Sequence, residues 1–249
     1  MRVFNLAELA RRLRAEGKHQ RLSAIIESLN QRNSRLADLK HARELLSLLA
    51  TVRSEKVVAL GPQPPGSPIA DIQGSLLAQA VTLYARAASP GDRGRARGPN
   101  VEKFLSEEQR ATHRRVLDLR NSAIAHLDGE ERQNWHRDGM LLVVREDGWT
   151  YGFSYSRTMY QAGLFGEFVA LLDVLIPSIA SSAEADNRTL HEALEDAIRA
   201  DPQVRAILDR CEFDSDSFYG VGSAAGELWQ AIHDGAEELI QNVSYSAEC

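Results

Sequence analysis

The chain has only two cysteines among its 249 residues, Cys211 and Cys249. They lie far apart, so they form neither a disulfide framework nor a cluster of metal ligands, and a reducing compartment is expected. The chain also lacks a run of 18 uncharged apolar residues, and its first residues lack the apolar segment of a secretory signal. These absences predict a cytoplasmic protein that does not engage a membrane.

Familiar catalytic signatures are missing as well. The sequence contains no glycine-rich phosphate loop, no HExxH, no CxxC and no GxSxG. Its seven histidines are dispersed, and no two are four residues apart, as a metal site on one helix would require. The sequence therefore predicts neither a metal nor another cofactor. His113, next to Arg114 and Arg115, is expected on an exposed basic helix face.

Charge is divided unevenly along the chain. Residues 1–120 carry 21 Lys and Arg against 12 Asp and Glu, whereas residues 121–249 carry 8 against 23. The first part is thus basic, with a net charge of +9, and the second is acidic, with −15. A basic half indicates a polyanionic partner, and an acidic half indicates a solvated or partner-facing surface. The alternative is that helical proteins simply scatter their charges unevenly.

Apolar residues recur at helical spacing through most of the sequence, which predicts an all-α fold. The proline- and glycine-rich segments 61–68 and 89–100 are expected to be loops. Ser106 and Gln109 form a capping-box pattern that begins a helix. Residues 140–156 are rich in Val, Leu and aromatic residues and are interrupted by Glu-Asp-Gly, which predicts a β-hairpin in which Gly148 adopts positive φ.

Three regions are expected. Residues 1–35 form N-terminal amphipathic helices, residues 36–176 form a helical bundle that includes the hairpin, and residues 177–249 form an acidic helical extension. The helix after the hairpin is expected to end at Pro177, because proline removes a helical hydrogen bond.

One polar stretch interrupts this helical pattern. Residues 118–130 read DLRNSAIAHLDGE and place Arg120, Asn121 and His126 near a helix end that Asp128-Gly129 would terminate. On a straight helix, Arg120 and His126 lie about 120° apart and roughly 9 Å apart along the axis. They would converge only at a loosened helix end, through a bent Arg side chain, or across a two-fold axis with a second copy.

The R-N-x-x-x-A-H pattern resembles the Arg-x(4–6)-His motif of the HEPN superfamily, and LRNSAIAHLD is most similar to its abortive-infection branch. The resemblance spans roughly residues 36–176 and implies a HEPN-like helical bundle that forms a homodimer. It also implies a metal-independent endoribonuclease of a phage-defence or toxin-antitoxin system. The hairpin and the C-terminal third lie outside the resemblance and are expected to be additions for dimer contact, regulation or docking of an antitoxin or defence partner.

The resemblance also assigns roles to the motif. Arg120 would stabilise phosphate charge, His126 would act as acid or base, and Asn121 would orient the reacting groups. These roles suit the side chains, because an imidazole titrates near neutrality and a guanidinium grips two phosphoryl oxygens. Attack by an RNA 2′-hydroxyl would leave a 2′,3′-cyclic phosphate and a 5′-hydroxyl.

RNA contacts are expected from the basic loop residues Arg93, Arg95 and Arg97 and from the helical pair Arg114 and Arg115. Such residues are also common on merely solvated surfaces. Two alternatives to catalysis stay open: a catalytically silent HEPN-like module that binds RNA or a protein, and an unrelated helical adaptor. In the second, Arg120 would pair with an acid such as Asp118, His126 would sit at a helix C-terminus, and Asn121 would cap locally.

Overall fold

The fold is known from a computed structural model that describes residues 2–56, 68–89, 100–121, 136–145, 148–157, 162–214 and 217–218. Within these ranges the predicted all-α fold with a β-hairpin is confirmed. The elements, in chain order, are α1 (Leu6–Ala15), α2 (Gln20–Lys56), α3 (Pro68–Ala88), a 3₁₀ turn (Val101–Phe104), α4 (Glu107–Leu119), β1 (His136–Arg145), β2 (Gly148–Arg157), α5 (Ala162–Ala200) and α6 (Pro202–Leu208).

The chain divides into two compact units. The terminal unit combines Met1–Asn30 with Asp186–Cys249, and the central unit is Gln31–Ala185. The boundaries expected from the sequence, after residues 35 and 176, fall inside the continuous helices α2 and α5. The two units also divide within these helices, between Asn30 and Gln31 in α2 and between Ala185 and Asp186 in α5.

In the terminal unit, backbone hydrogen bonds join the segment before α1 to the segment after α6. The amide of Asn5 donates to the carbonyl of Cys211 at 2.7 Å, and the amide of Phe213 donates to the carbonyl of Val3 at 2.9 Å. Asn5 also caps α1, because its side chain accepts a hydrogen bond from the amide of Glu8 at 3.1 Å. The apolar sides of α1 and α6 are buried next to this pairing.

An apolar core holds the central unit together. It is formed by residues that recur every three or four positions in α2, α3, α4 and α5, so each helix buries one side. The principal members are Leu39, Ala42, Leu46, Leu49, Leu77, Ala80, Val81, Tyr84, Val116, Leu119, Leu164, Phe168, Leu171, Leu172, Leu175 and Ile179. Full burial of a Leu or Phe side chain contributes about 1.5–3 kcal/mol, so this core dominates the stability of the unit.

Helix α5 does not end at Pro177, and that prediction was wrong. Leu175 and Ile179 are both buried in the core on either side of the proline, so packing maintains the helix where one backbone hydrogen bond is missing. The segment Leu164–Ala200 is the one stretch of the described residues long and apolar enough to cross a membrane, by length and composition alone. A core helix of a soluble protein has the same properties, and a third of the most apolar window is buried inside this protein.

The predicted hairpin is confirmed. Strands β1 and β2 pair antiparallel from His136 with Arg157 to Arg145 with Gly148. Gly148 has φ +148°, a conformation that glycine adopts without steric cost. The hairpin is longer than the predicted 140–156 because its pairing continues into polar residues that carry no β signal of their own.

Candidate functional site

Helix α4 carries the first part of the motif to the edge of the central unit. Its start is the predicted capping box: the Ser106 hydroxyl accepts from the amide of Gln109 at 3.2 Å, and the Gln109 side chain accepts from the amide of Ser106 at 2.9 Å. Farther along α4, Val116 and Leu119 are buried in the core. The helix is thus fixed at its start by capping and at its end by packing, immediately before the motif.

Arg120 and Asn121 follow Leu119 and are exposed. The guanidinium of Arg120 donates to the side-chain oxygen of Asn121 at 3.1 Å. The helix widens into a π-type turn at these two residues, a local geometry that often occurs at functional sites. The spacing of a straight α-helix therefore does not apply at Arg120 and Asn121. The hydrogen bond with Asn121 fixes one nitrogen of the guanidinium and leaves its other donors on the exposed side.

The third residue of the motif, His126, lies outside the described residues. The loop residues Arg93, Arg95 and Arg97 also lie outside them. Their predicted roles stay predictions. Of the three candidate catalytic residues, the structure describes Arg120 and Asn121, and these two contact each other.

The other two residues predicted to contact RNA lie on α4 and are exposed. Arg115 donates to a carboxylate oxygen of Glu167 at 2.6 Å, and the hydroxyl of Thr112 donates to the same oxygen at 3.1 Å. Arg114 lies 3.5 Å from a carboxylate oxygen of Glu107. Exposed ion pairs of this kind contribute about 0–1 kcal/mol, so a phosphate group can displace these carboxylates at little cost.

His113 is not on an exposed basic face, and that expectation was wrong. Its side chain is buried, and its Nδ1 lies 2.6 Å from the hydroxyl of Tyr84. Burial lowers the pKa of His113, an effect that Arg114 reinforces and Glu102 opposes. The spacing within α4 could have shown this, because Val116 lies three residues beyond His113 on the same side of the helix.

Tyr84 completes this buried contact from α3. Its ring packs edge-on against Phe168, with the centroids 5.2 Å apart, and burial raises the pKa of its hydroxyl. The hydroxyl is therefore neutral over the physiological range and serves as a hydrogen-bonding group. The pair joins α3 to α4 two turns before Arg120, so it contributes to the stability of the unit that carries the exposed motif.

A second polar contact inside the central unit was also missed by sequence reasoning. Asp38 on α2 is buried and accepts two hydrogen bonds from Arg86 on α3, one of them from Nε at 2.5 Å. Arg35, one turn before Asp38, donates to the carbonyl of Ala87 at 3.4 Å. Both contacts lie near the end of α3. No feature of the sequence signals this pairing, because the partners are 48 residues apart and each resembles an ordinary surface charge.

The terminal unit has a shallow groove of about 350 Å³. Its lining includes His19, Arg21, Glu192 and Asp196. His19 has φ +47°, and its Nε2 lies 3.2 Å from a carboxylate oxygen of Asp201. The pKa of Asp201 is lowered, chiefly by the hydrogen bond from the amide of Gln203 and next by His19. Among the predicted catalytic and RNA-binding residues that the structure describes, none lines this groove.

In the part of the chain that the structure describes, no three His, Cys, Asp or Glu residues are grouped so that they could hold a metal ion. The described end of α4 presents one exposed guanidinium, that of Arg120, and a guanidinium can bind an anionic group through two parallel hydrogen bonds. Comparisons with protein-family models, with curated proteins and with solved structures find no match for this chain.

Proposed function

We propose that the chain is a HEPN-like, metal-independent endoribonuclease. The observation that carries the proposal is the exposed Arg120 at the end of α4, which donates a hydrogen bond to Asn121, the next residue of the R-N-x-x-x-A-H pattern. The core of α2, α3, α4 and α5 behind it supports the proposal, because a site that acts by orientation needs a rigid scaffold.

The reaction we propose uses the substrate's own 2′-hydroxyl. The 2′-oxygen forms a bond to phosphorus as the bond from phosphorus to the 5′-oxygen breaks, which leaves a 2′,3′-cyclic phosphate. His126 takes the 2′-proton, or delivers a proton to the departing 5′-oxygen. Arg120 donates to the phosphoryl oxygens, where negative charge grows in the transition state, and Asn121 keeps the guanidinium in that orientation.

Arg114 and Arg115 would bind the RNA backbone together with Arg93, Arg95 and Arg97. The exposed positions of the first two support this role. Contacts of this type do not read sequence and weaken as salt rises. Each substitution that removes one cationic partner of a phosphate is expected to reduce the slope of log affinity against log salt by about 0.7 for a single strand.

The proposed setting is the cytoplasm, in phage defence or a toxin-antitoxin system, with the chain acting as a homodimer. A partner protein that restrains the nuclease, such as an antitoxin, belongs to the same proposal. The acidic C-terminal half is the surface best suited to a basic partner, because opposite charges speed and orient association.

The test is cleavage of mixed RNA in EDTA. We expect the wild type to release products with 2′,3′-cyclic phosphate ends, and His126→Ala to lose about 10²–10⁴-fold in rate. Arg120→Ala is expected to lose about 10²–10³-fold. Matched controls are His191→Ala and Arg199→Ala, two exposed residues of α5 in the terminal unit, which should cleave like the wild type.

The outcome also separates the alternatives. Full activity in folded Arg120→Ala and His126→Ala would contradict the proposed catalytic roles. Absence of cleavage in every form, together with salt-dependent retention of RNA, would instead identify a silent RNA-binding module. Absence of both would favour a helical adaptor.

A further inference from the structure

The hairpin exposes an apolar face to solvent. Met140, Leu142 and Val144 alternate along β1 and therefore share one face of the sheet, and Tyr151 on β2 pairs directly with Leu142 on that face. Their exposed fractions are 77%, 58%, 73% and 66%. Single exposed apolar residues are ordinary, but four that adjoin one another form a patch typical of an interaction surface.

Nothing among the described residues covers the exposed face of this two-stranded sheet. An isolated hairpin is marginally stable in water unless one of its faces is packed against another element. The sheet consists of β1 and β2 alone within the described ranges. Side chains from a second sheet, about 10 Å away, would interdigitate with this face and form a small sandwich.

We propose that this face is covered by the same face of a second copy of the chain. An interface with two-fold symmetry uses one patch twice, so it needs a patch that matches itself. The four residues are uncharged, so this patch can meet its own copy without leaving one of their side chains as a buried, unpaired charge. The same property disfavours RNA, because a polyanion is bound by cationic side chains.

The size of the patch is consistent with this occupant. Apolar side chains of this kind carry roughly 150–200 Å² each, so four that are more than half exposed present on the order of 450 Å². Two copies would bury about 900 Å² from these residues alone, close to the lower bound of about 1,000 Å² for a specific interface.

The test is the mass of the full chain in solution, measured by light scattering and sedimentation over roughly 1–100 µM. The wild type should form a dimer. Leu142→Glu and Val144→Glu should each raise the dissociation constant by about 100-fold or more, because each substitution enters the interface twice. Leu48→Glu is the matched control, since Leu48 is a half-exposed residue of α2, and it should dimerise like the wild type. Circular dichroism and thermal melting would establish that each variant is folded.

Three results would overturn the proposal. One is a wild type that stays monomeric at the highest concentration, and another is a dimer that Leu142→Glu and Val144→Glu do not weaken. The third is a monomer whose hairpin binds vesicles of phosphatidylcholine and phosphatidylserine, which would assign the face to a lipid surface. The homodimer is also part of the proposed function, so the wild type and both variants are assayed for RNA cleavage as well. Cleavage by a monomeric wild type would overturn this interface and leave the nuclease activity standing, whereas a hairpin-dependent dimer that cleaves no RNA would do the reverse.

Discussion

Replacing Tyr84 with phenylalanine would remove one hydroxyl from the buried contact between α3 and α4. The ring would keep its edge-on packing against Phe168 at 5.2 Å, so packing would change little. The variant would lack the 2.6 Å hydrogen bond to Nδ1 of His113. A buried polar atom left without a partner costs about 1–3 kcal/mol. We expect Tyr84→Phe to lower the free energy of unfolding by that amount and the melting temperature by about 3–10 °C.

A double-mutant cycle tests whether the hydrogen bond is the cause. His113→Leu alone leaves the Tyr84 hydroxyl buried without this partner, whereas the double variant removes both polar groups together. The double variant should therefore be more stable than the two single effects predict, by at least about 1 kcal/mol. Arg199→Ala is the control, because Arg199 is an exposed residue of α5, and it should change stability by less than about 0.5 kcal/mol. Additive effects, measured by urea denaturation at an unchanged m-value, would refute the reasoning.

The same pair predicts a dependence of stability on pH. Burial lowers the pKa of His113 below its ordinary value of 6.5, so on acidification the unfolded chain binds a proton there before the folded chain does. The contribution of His113 to stability is therefore fully present above pH 6.5 and is lost as the pH falls from 6.5 toward the folded pKa. Between pH 7.5 and about 5, His113→Leu should lose less stability than the wild type. Parallel curves would contradict the assignment.

Three further substitutions have defined outcomes. Arg86→Ala removes two hydrogen bonds from the buried carboxylate of Asp38 and should lower the free energy of unfolding by about 1–3 kcal/mol, with Arg199→Ala as the exposed control. Pro177→Ala restores a donor inside α5 and should raise the free energy of unfolding, by about 1–2 kcal/mol in the same urea titration. Gly148→Ala forces a side chain onto φ +148° and should speed amide exchange across the hairpin at least about 5-fold.

Much of the fold could be predicted because its signals are local. The apolar spacing of α2, α3 and α5 identifies their buried sides, and the box of Ser106 and Gln109 locates the start of α4 within one turn. The hairpin could be predicted for the same reason, since alternation and a glycine at the turn are properties of adjacent residues. The prediction from local sequence was wrong at Pro177. A proline disfavours a helix interior, but the burial of Leu175 and Ile179 on either side of it outweighs that cost.

The candidate site was less predictable because its contacts are not local. Nothing in the sequence pairs Tyr84 with His113 or Asp38 with Arg86, since helix packing brings these residues together. His113 was assigned to the surface from its two arginine neighbours, although adjacent helical residues point about 100° apart and carry little information about one another's burial. The pattern did predict that Arg120 and Asn121 lie near the end of a helix, and both are exposed there.

The residues of α4 that stabilise the fold differ from the residue at its end that we propose to act in catalysis. Its inner side holds His113 against Tyr84 and carries Val116 and Leu119 into the core, whereas Arg120 is exposed and follows Leu119, the last buried residue that the structure describes on this helix. Exposed substitutions usually change stability by less than about 0.5 kcal/mol, so Arg120→Ala should melt like the wild type even if it abolishes cleavage. Tyr84→Phe should melt at a lower temperature but cleave RNA like the wild type wherever the unit stays folded, because the substitution does not touch the exposed motif. A variant at Arg120 that loses activity and stability together would mean that its guanidinium stabilises the helix end, and the proposed role in catalysis would have to be withdrawn.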